Sequence, residues 1–251
     1  MDTQIQNPIP DVTSSAIPPL QPATQLEPIG DTLKESWEIF KQHFSILGTI
    51  SAIVTLTVVI WTILVPTKPE AMSEQQAQAY PYIAIFAFVL IAVALMTQIM
   101  MFMFALKRDQ VWTLDTLFNA STKKLFGFFG VSLLTGIPVM IGLVLFVIPG
   151  IYLAIALSFG VLIYLDQNTG AVDSLNKSRE LVKGFWWPVF GRYFAFIVIV
   201  ILVTIVTVLP FGAESKAGTI INALSNFVVM PVATIYSVLI YEQLKKLKSG
   251  V

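Results

Sequence analysis

Six long apolar stretches leave this chain few ways to fold. They run Phe44–Val65, Tyr82–Leu106, Phe126–Ile148, Gly150–Leu165, Pro188–Leu209 and Ala217–Tyr241. A helix needs about 20 apolar residues to cross roughly 30 Å of hydrocarbon. Five stretches are long enough alone, and the fourth is short. Only Pro149-Gly150, a strong breaker pair, separates it from the third. Two readings follow: a tight hairpin that crosses twice with Pro149-Gly150 as connector, or a bent re-entrant segment. Charged residues make up 12% of the chain, about half the share of a soluble domain. A soluble fold of this size needs more charge over its surface.

The charges that exist are segregated. With six crossings and an inner N-terminus, Lys34, Lys41, Lys107, Arg108, Lys123, Lys124, Lys177, Arg179, Lys183, Arg192, Lys245, Lys246 and Lys248 lie inside. Lys68 and Lys216 lie outside. The positive-inside rule then predicts both termini of a multi-pass membrane protein in the cytoplasm. Trp61, Tyr80, Tyr82, Trp112, Trp186, Trp187 and Tyr241 fall near stretch ends, where interfacial aromatics belong.

A short cassette recurs. Asp31 to Lys41 (DTLKESWEIFK) returns loosely as Asp173 to Lys183 (DSLNKSRELVK). Thr32 and Glu35 fit a capping box, and Lys34 and Glu38 an i,i+4 pair. Leu33, Ser36 and Phe40 share one face, as do Ala171, Leu175, Ser178, Val182 and Phe185. Such helices can lie at the headgroup level with the apolar face down and lysines near anionic lipid. Lys34, Lys41, Lys177, Arg179, Lys183, Trp186 and Trp187 are the candidate lipid or interface contacts. Ser36 and Ser178 fall on the apolar faces, where a small residue lets the helix approach a transmembrane helix closely. Asp115, Leu117 and Ala120 give a fainter third copy. The chain then divides into units 30–106, 113–165 and 170–248, each an amphipathic helix followed by a helical hairpin.

Residues 1–29 read differently. Six prolines among Gln, Thr, Ser and Asp predict a disordered cytoplasmic tail. Pro19-Leu-Gln-Pro22 fits a proline-helix ligand for a protein partner, although a plain solubilising tail fits as well. The balanced charge, 15 basic against 15 acidic residues, points to no nucleic acid.

Catalytic chemistry has little to draw on. There is no Cys and a single His, His43, beside the first stretch. No stretch interior carries Asp, Glu or His, so no catalytic residue, metal site or cofactor is expected. The intramembrane polar candidates are Gln98, Asn222 and Asn226, the last two one helical turn apart. Interhelical hydrogen bonding accounts for them, as does a pore lining. Ser132, Gly136, Ala156 and Gly160 supply small-residue pairs for close packing. Pro138 and Pro231 are expected to kink their helices.

The segment Ile148-Pro-Gly-Ile-Tyr-Leu153, a stretch, then Ala171-Val-Asp-Ser-Leu-Asn-Lys-Ser-Arg-Glu-Leu-Val-Lys-Gly-Phe-Trp186 resembles a known pattern. It is similar to the membrane domain of some bacterial glycerophosphoryl diester phosphodiesterases and to related stand-alone bacterial membrane proteins of unknown function. The resemblance is clearest over residues 140–200. The catalytic barrel of those fusions, with paired carboxylates and histidines, has no counterpart among these residues.

The fold expected is an all-α integral membrane protein, with about six transmembrane helices in three hairpins. The function expected is non-enzymatic: organising lipid or partner proteins at the cytoplasmic face. A transporter or channel for a neutral or lipid-like solute is the alternative. A membrane subunit of a separately encoded enzyme is a further one, resting on analogy alone.

Overall fold

A computed structural model describes residues 25–64, 80–212 and 215–249. The tail residues 1–24, with Pro19 and Pro22, and the loop holding Lys68 lie outside the described residues. Those described fold into ten α-helices and one short 3-10 turn, with no strand. They are α1 (Ile29–Gln42), α2 (Phe44–Leu64), α3 (Tyr80–Leu106), α4 (Leu114–Thr122), α5 (Leu125–Leu145), α6 (Val147–Ala156), α7 (Gly160–Gln167), α8 (Ala171–Val182), α9 (Trp186–Val208) and α10 (Lys216–Ser249). Six segments are long and apolar enough to cross a membrane, with α6 and α7 counted as one. The protein is an all-helical integral membrane protein.

The 34-residue helix α10 is the hub. It packs on α1, α2, α3, α8 and α9. Its C-terminal half buries Ile235, Tyr236, Val238, Leu239, Ile240, Tyr241 and Leu244 almost completely. By contrast, α9 exposes Ile197, Ile201, Leu202, Ile205 and Val206. Large exposed aliphatics are costly in water and ordinary against lipid. Both α5 and α10 continue through their prolines, Pro138 and Pro231.

The amphipathic helices α1, α4 and α8 gather at one end of the bundle, and their apolar stripes face protein. Thr32, Ser36, Ile39 and Phe40 of α1 are buried, chiefly against α10. Ser174, Leu175, Ser178 and Val182 of α8 are buried against α7 and its neighbours. The apolar-face-down arrangement in lipid is therefore corrected: the bundle already occupies those faces. In α4 the buried serine is Ser121, one residue beyond the expected Ala120.

Several local expectations also change. Helix α1 starts at Ile29 behind Pro28, so Thr32 sits one turn inside and its hydroxyl donates to the Pro28 carbonyl at 3.3 Å. The capping box forms instead at Thr113 and Thr116. Glu38 pairs with Lys41 at 2.9 Å rather than with Lys34. The expected tail boundary at 29 falls inside structured chain, because Leu26 already packs against the core. Tyr241 is no interfacial aromatic: it is buried, and its hydroxyl donates to Asp166 at 2.8 Å.

The largest correction concerns Pro149 and Gly150. The turn between α5 and α6 is made by Phe146 in an extended conformation, and both residues lie inside α6. Proline suits a first helical turn, where its missing N–H is not needed. Gly150 lets α6 press on α5, since a Cβ there would lie 2.5 Å from the Leu143 backbone nitrogen. At Gly136 a Cβ meets nothing within 4 Å, so Gly142 and Gly150 make the close contact instead. The fourth segment runs Val147–Gln167, longer than expected, with a break at Leu157–Phe159.

Candidate functional site: an uncharged cavity between α2, α3 and α10

Each of three helices turns a stripe of mixed polar and apolar side chains toward a common space. On α2 the stripe is Ser51, Thr55 and Val58, and on α3 it is Ala94, Thr97, Gln98 and Met101. On α10 it is Thr219, Asn222, Asn226 and Met230. Spacings of three, four and seven put each set on one helical face. Between them lies a cavity of about 310 Å³, at the lower end of the range for small-molecule sites.

Depth within the cavity is graded. Ser51, Thr55 and Thr97 are buried at its floor, while Asn222 and Met230 are nearer its mouth. The exposed lining residues, Asn222 and Met230, lie within the apolar length of α10. Two of the four hydroxyls are held by their own helices: Thr97 donates to the Val93 carbonyl at 3.0 Å and Thr219 to that of Ser215 at 3.1 Å. The Asn226 amide donates to the Asn222 side-chain oxygen at 3.2 Å. The Ser51 hydroxyl is buried and has no partner among the described residues. An unpaired hydroxyl in an apolar setting costs about 1–3 kcal/mol, so it is primed for a ligand or water.

Among the described residues no charged side chain lines this cavity, and no cluster of three His, Asp or Glu could hold a metal ion. The arrangement offers hydrogen-bond donors and acceptors without a nucleophile–base pair.

The structure brings Gln98, Asn222 and Asn226 together in this one cavity. It adds Ser51, Thr55, Thr97 and Thr219, which the sequence reading passed over. For Ser51 and Thr55 the only signal is their i,i+4 spacing, on a helix that also carries Thr49, Thr57 and Thr62.

The remaining candidates lie at the charged end. Lys34 and Arg179 point outward from their helices, and Lys177 donates to the Gln167 amide oxygen at 2.8 Å. Lys183 lies 3.9 Å from Glu180. Trp186 stacks between Tyr152 and Phe190, whereas Trp187 is 73% exposed. The two cassette serines differ. Ser36 donates to the Thr32 carbonyl of its own helix at 2.7 Å. Ser178 bridges the break after α6, donating to the Ala156 carbonyl at 2.9 Å and accepting from the Phe159 N–H at 3.2 Å.

Two ion pairs tie the same end. Arg108 makes a two-pronged pair with Glu242, both contacts 2.8 Å. The hydrogen bond from the guanidinium to Glu242 holds Arg108 above its already high ordinary pKa. Lys245 reaches Asp166 at 2.7 Å. Arg192 is buried, donating to the carbonyls of Pro188 and Glu27.

A UPF0259 membrane protein of Pectobacterium carotovorum subsp. carotovorum (strain PC1) is 30% identical over 113 residues, 44% of this chain and 44% of that protein. The match spans less than half of the relative's length. No family model matches the chain, and no solved structure matches it. These matches carry no link to the phosphodiesterase membrane domain. The chain is thus a multi-pass membrane protein with a distant bacterial relative of the same general kind.

Proposed function

We propose that this protein binds the polar head of an uncharged, lipid-like molecule inside the membrane and serves its movement within or across the bilayer. The observation that carries this is a cavity whose lining joins apolar side chains with a few amides and hydroxyls, with no charged side chain among the described residues. A volume of about 310 Å³ has room for a head the size of glycerol, and in this reading the acyl chains leave the cavity past the exposed Asn222 and Met230. A charged head would lose hydration there with no counter-charge to meet it.

The test uses purified protein and radiolabelled dioctanoylglycerol in equilibrium dialysis, with dioctanoylphosphatidic acid as the charged comparison. Saturable binding of the diglyceride alone is expected. The triple variant Gln98→Leu, Asn222→Leu, Asn226→Leu should bind at least about tenfold more weakly. Each lost hydrogen bond is worth about 0.5–1.5 kcal/mol, and about 1.4 kcal/mol is tenfold. Equal binding by the triple variant, or equal binding of the acid, overturns the reading.

A second reading draws on the charged end, where Lys34, Arg179 and Trp187 are exposed. There the protein organises lipid or a partner protein. On the positive-inside rule this end faces the cytoplasm of a bacterial inner membrane, and the units 30–106, 113–165 and 170–248 each bring one amphipathic helix to it. A membrane-impermeant thiol reagent should then label Ser215→Cys from outside and Ser249→Cys only from inside. The reverse pattern refutes the orientation.

A further inference from the structure

The pair formed by α5 and α6–α7 is long and apolar enough to cross a membrane, yet the contacts of α6–α7 with α9 and α10 lie near one height. Tyr152 stacks on Trp186, 5.9 Å between ring centres, and its carbonyl accepts from the Trp186 indole at 3.3 Å. Ile148 and Ile151 meet Trp187 and Phe190 in the same apolar pocket. Phe159 lies 6.2 Å from Tyr193 and 6.1 Å from Tyr241. Asp166, near the other end of the segment, reaches Tyr241 and Lys245.

All these partners belong to the charged end. On α9 they run only from Trp186 to Tyr193, about 11 Å of helix, and on α10 from Tyr241 to Lys245, about 6 Å. The two stretches are level with one another, because Lys248 donates to the Lys183 carbonyl and Tyr236 to that of Arg192. An upright segment of 21 residues would rise about 31 Å.

Helix α8 makes the same point independently. It runs antiparallel beside α6–α7, with Leu175 at Gly160 and Ser178 at Ala156. Its outer face carries Asp173, Lys177, Arg179 and Glu180, all exposed. If α6–α7 stood upright, α8 would carry those four charges into hydrocarbon, where charges are strongly disfavoured.

We infer that the α5–α6–α7 hairpin lies across the charged end of the bundle as a wedge in one leaflet, its apolar tip embedded among the acyl chains on that side. The tip is made for that occupant. Val144, Leu145, Phe146, Val147 and Ile148 are each between 61% and 81% exposed. They adjoin the Tyr152–Trp186 aromatic stack, which suits the headgroup boundary. Lys123 and Lys124 hold the other end of α5 at the same boundary. Four helices, α2, α3, α9 and α10, then cross the bilayer, and the protein displaces lipid asymmetrically in one leaflet.

The chain has no cysteine, so a Phe146→Cys variant of the whole chain can be labelled cleanly. The membrane is vesicles of phosphatidylcholine and phosphatidylglycerol. Ser215→Cys marks the far side and Ser249→Cys the near side. The wedge predicts that the thiol of Phe146→Cys does not react with impermeant maleimide from the far side. It also predicts that a spin label on that thiol collides with oxygen far more often than with a water-soluble nickel chelate. Reaction from the far side, as for Ser215→Cys, means a full crossing and overturns the inference. Collisions dominated by the nickel chelate mean a tip in water and overturn it equally. Val144→Cys repeats the measurement should Phe146→Cys fold poorly.

Discussion

Ser36 and Ser178 are the same residue type at matching places in the two cassettes, and both are fully buried, yet alanine should cost them very different amounts. At Ser178, alanine orphans two backbone groups at the helix break: the Phe159 N–H and the Ala156 carbonyl. The Gly160 N–H bonds Leu157 and cannot take over that carbonyl. Each buried orphan costs about 1–3 kcal/mol. Some relaxation of the break brings the sum to about 2–4 kcal/mol. At roughly 2–4 °C per kcal/mol for a chain of this size, Ser178→Ala should lower Tm by about 4–16 °C. At Ser36 the hydroxyl only adds to a carbonyl that its own helix also uses. Ser36→Ala should therefore cost below about 1 kcal/mol. Thermal unfolding of both variants in one detergent, followed by circular dichroism, makes the comparison. Equal shifts would refute the role given to Ser178 at the break.

Gly150→Ala and Gly136→Ala should move stability in opposite directions. The first drives a Cβ into the Leu143 backbone and should cost about 1–3 kcal/mol. The second fills open space on a helix and should gain up to about 1 kcal/mol. Arg108→Lys keeps the charge but loses the two-pronged geometry with Glu242, at a cost of about 1–2 kcal/mol in the same assay. Because the Arg108 pKa is raised on folding, its contribution is complete below the ordinary arginine value and fades only as pH rises through the folded value. The Arg108→Lys deficit, read by unfolding at several pH values, should therefore show no onset or loss traceable to Arg108 between about pH 6 and 10.

The long apolar helices were legible because hydrocarbon imposes length and composition, and both are visible in a linear sequence. The cassette faces were legible from their three-and-four spacing; what covers them was not. Ser36 and Ser178 look alike in sequence, and only the fold shows that one faces a helix break. Pro149-Gly150 misled because a proline after a loop and a proline in a first helical turn read the same. Gln98, Asn222 and Asn226 stood out as amides in apolar helices. Ser51 and Thr97 did not, since hydroxyls in such helices usually satisfy themselves on their own backbone. Arg108 with Glu242, or Asp166 with Lys245, required knowing which helices are neighbours, and local pattern carries no such information.

The polar cavity inside the bundle is tested most directly by thiol reactivity on one helix, α2. Ser51→Cys places a sulfur at the cavity floor, and Leu56→Cys places one on the lipid-facing side, where Leu56 is 60% exposed. The thiolate is the reactive form, and a thiolate needs a polar surrounding. The cavity thiol of Ser51→Cys should react with methyl methanethiosulfonate many times faster than the lipid-facing thiol of Leu56→Cys, and dioctanoylglycerol should slow that reaction. A Ser51→Cys variant that reacts no faster than Leu56→Cys would contradict a polar binding cavity.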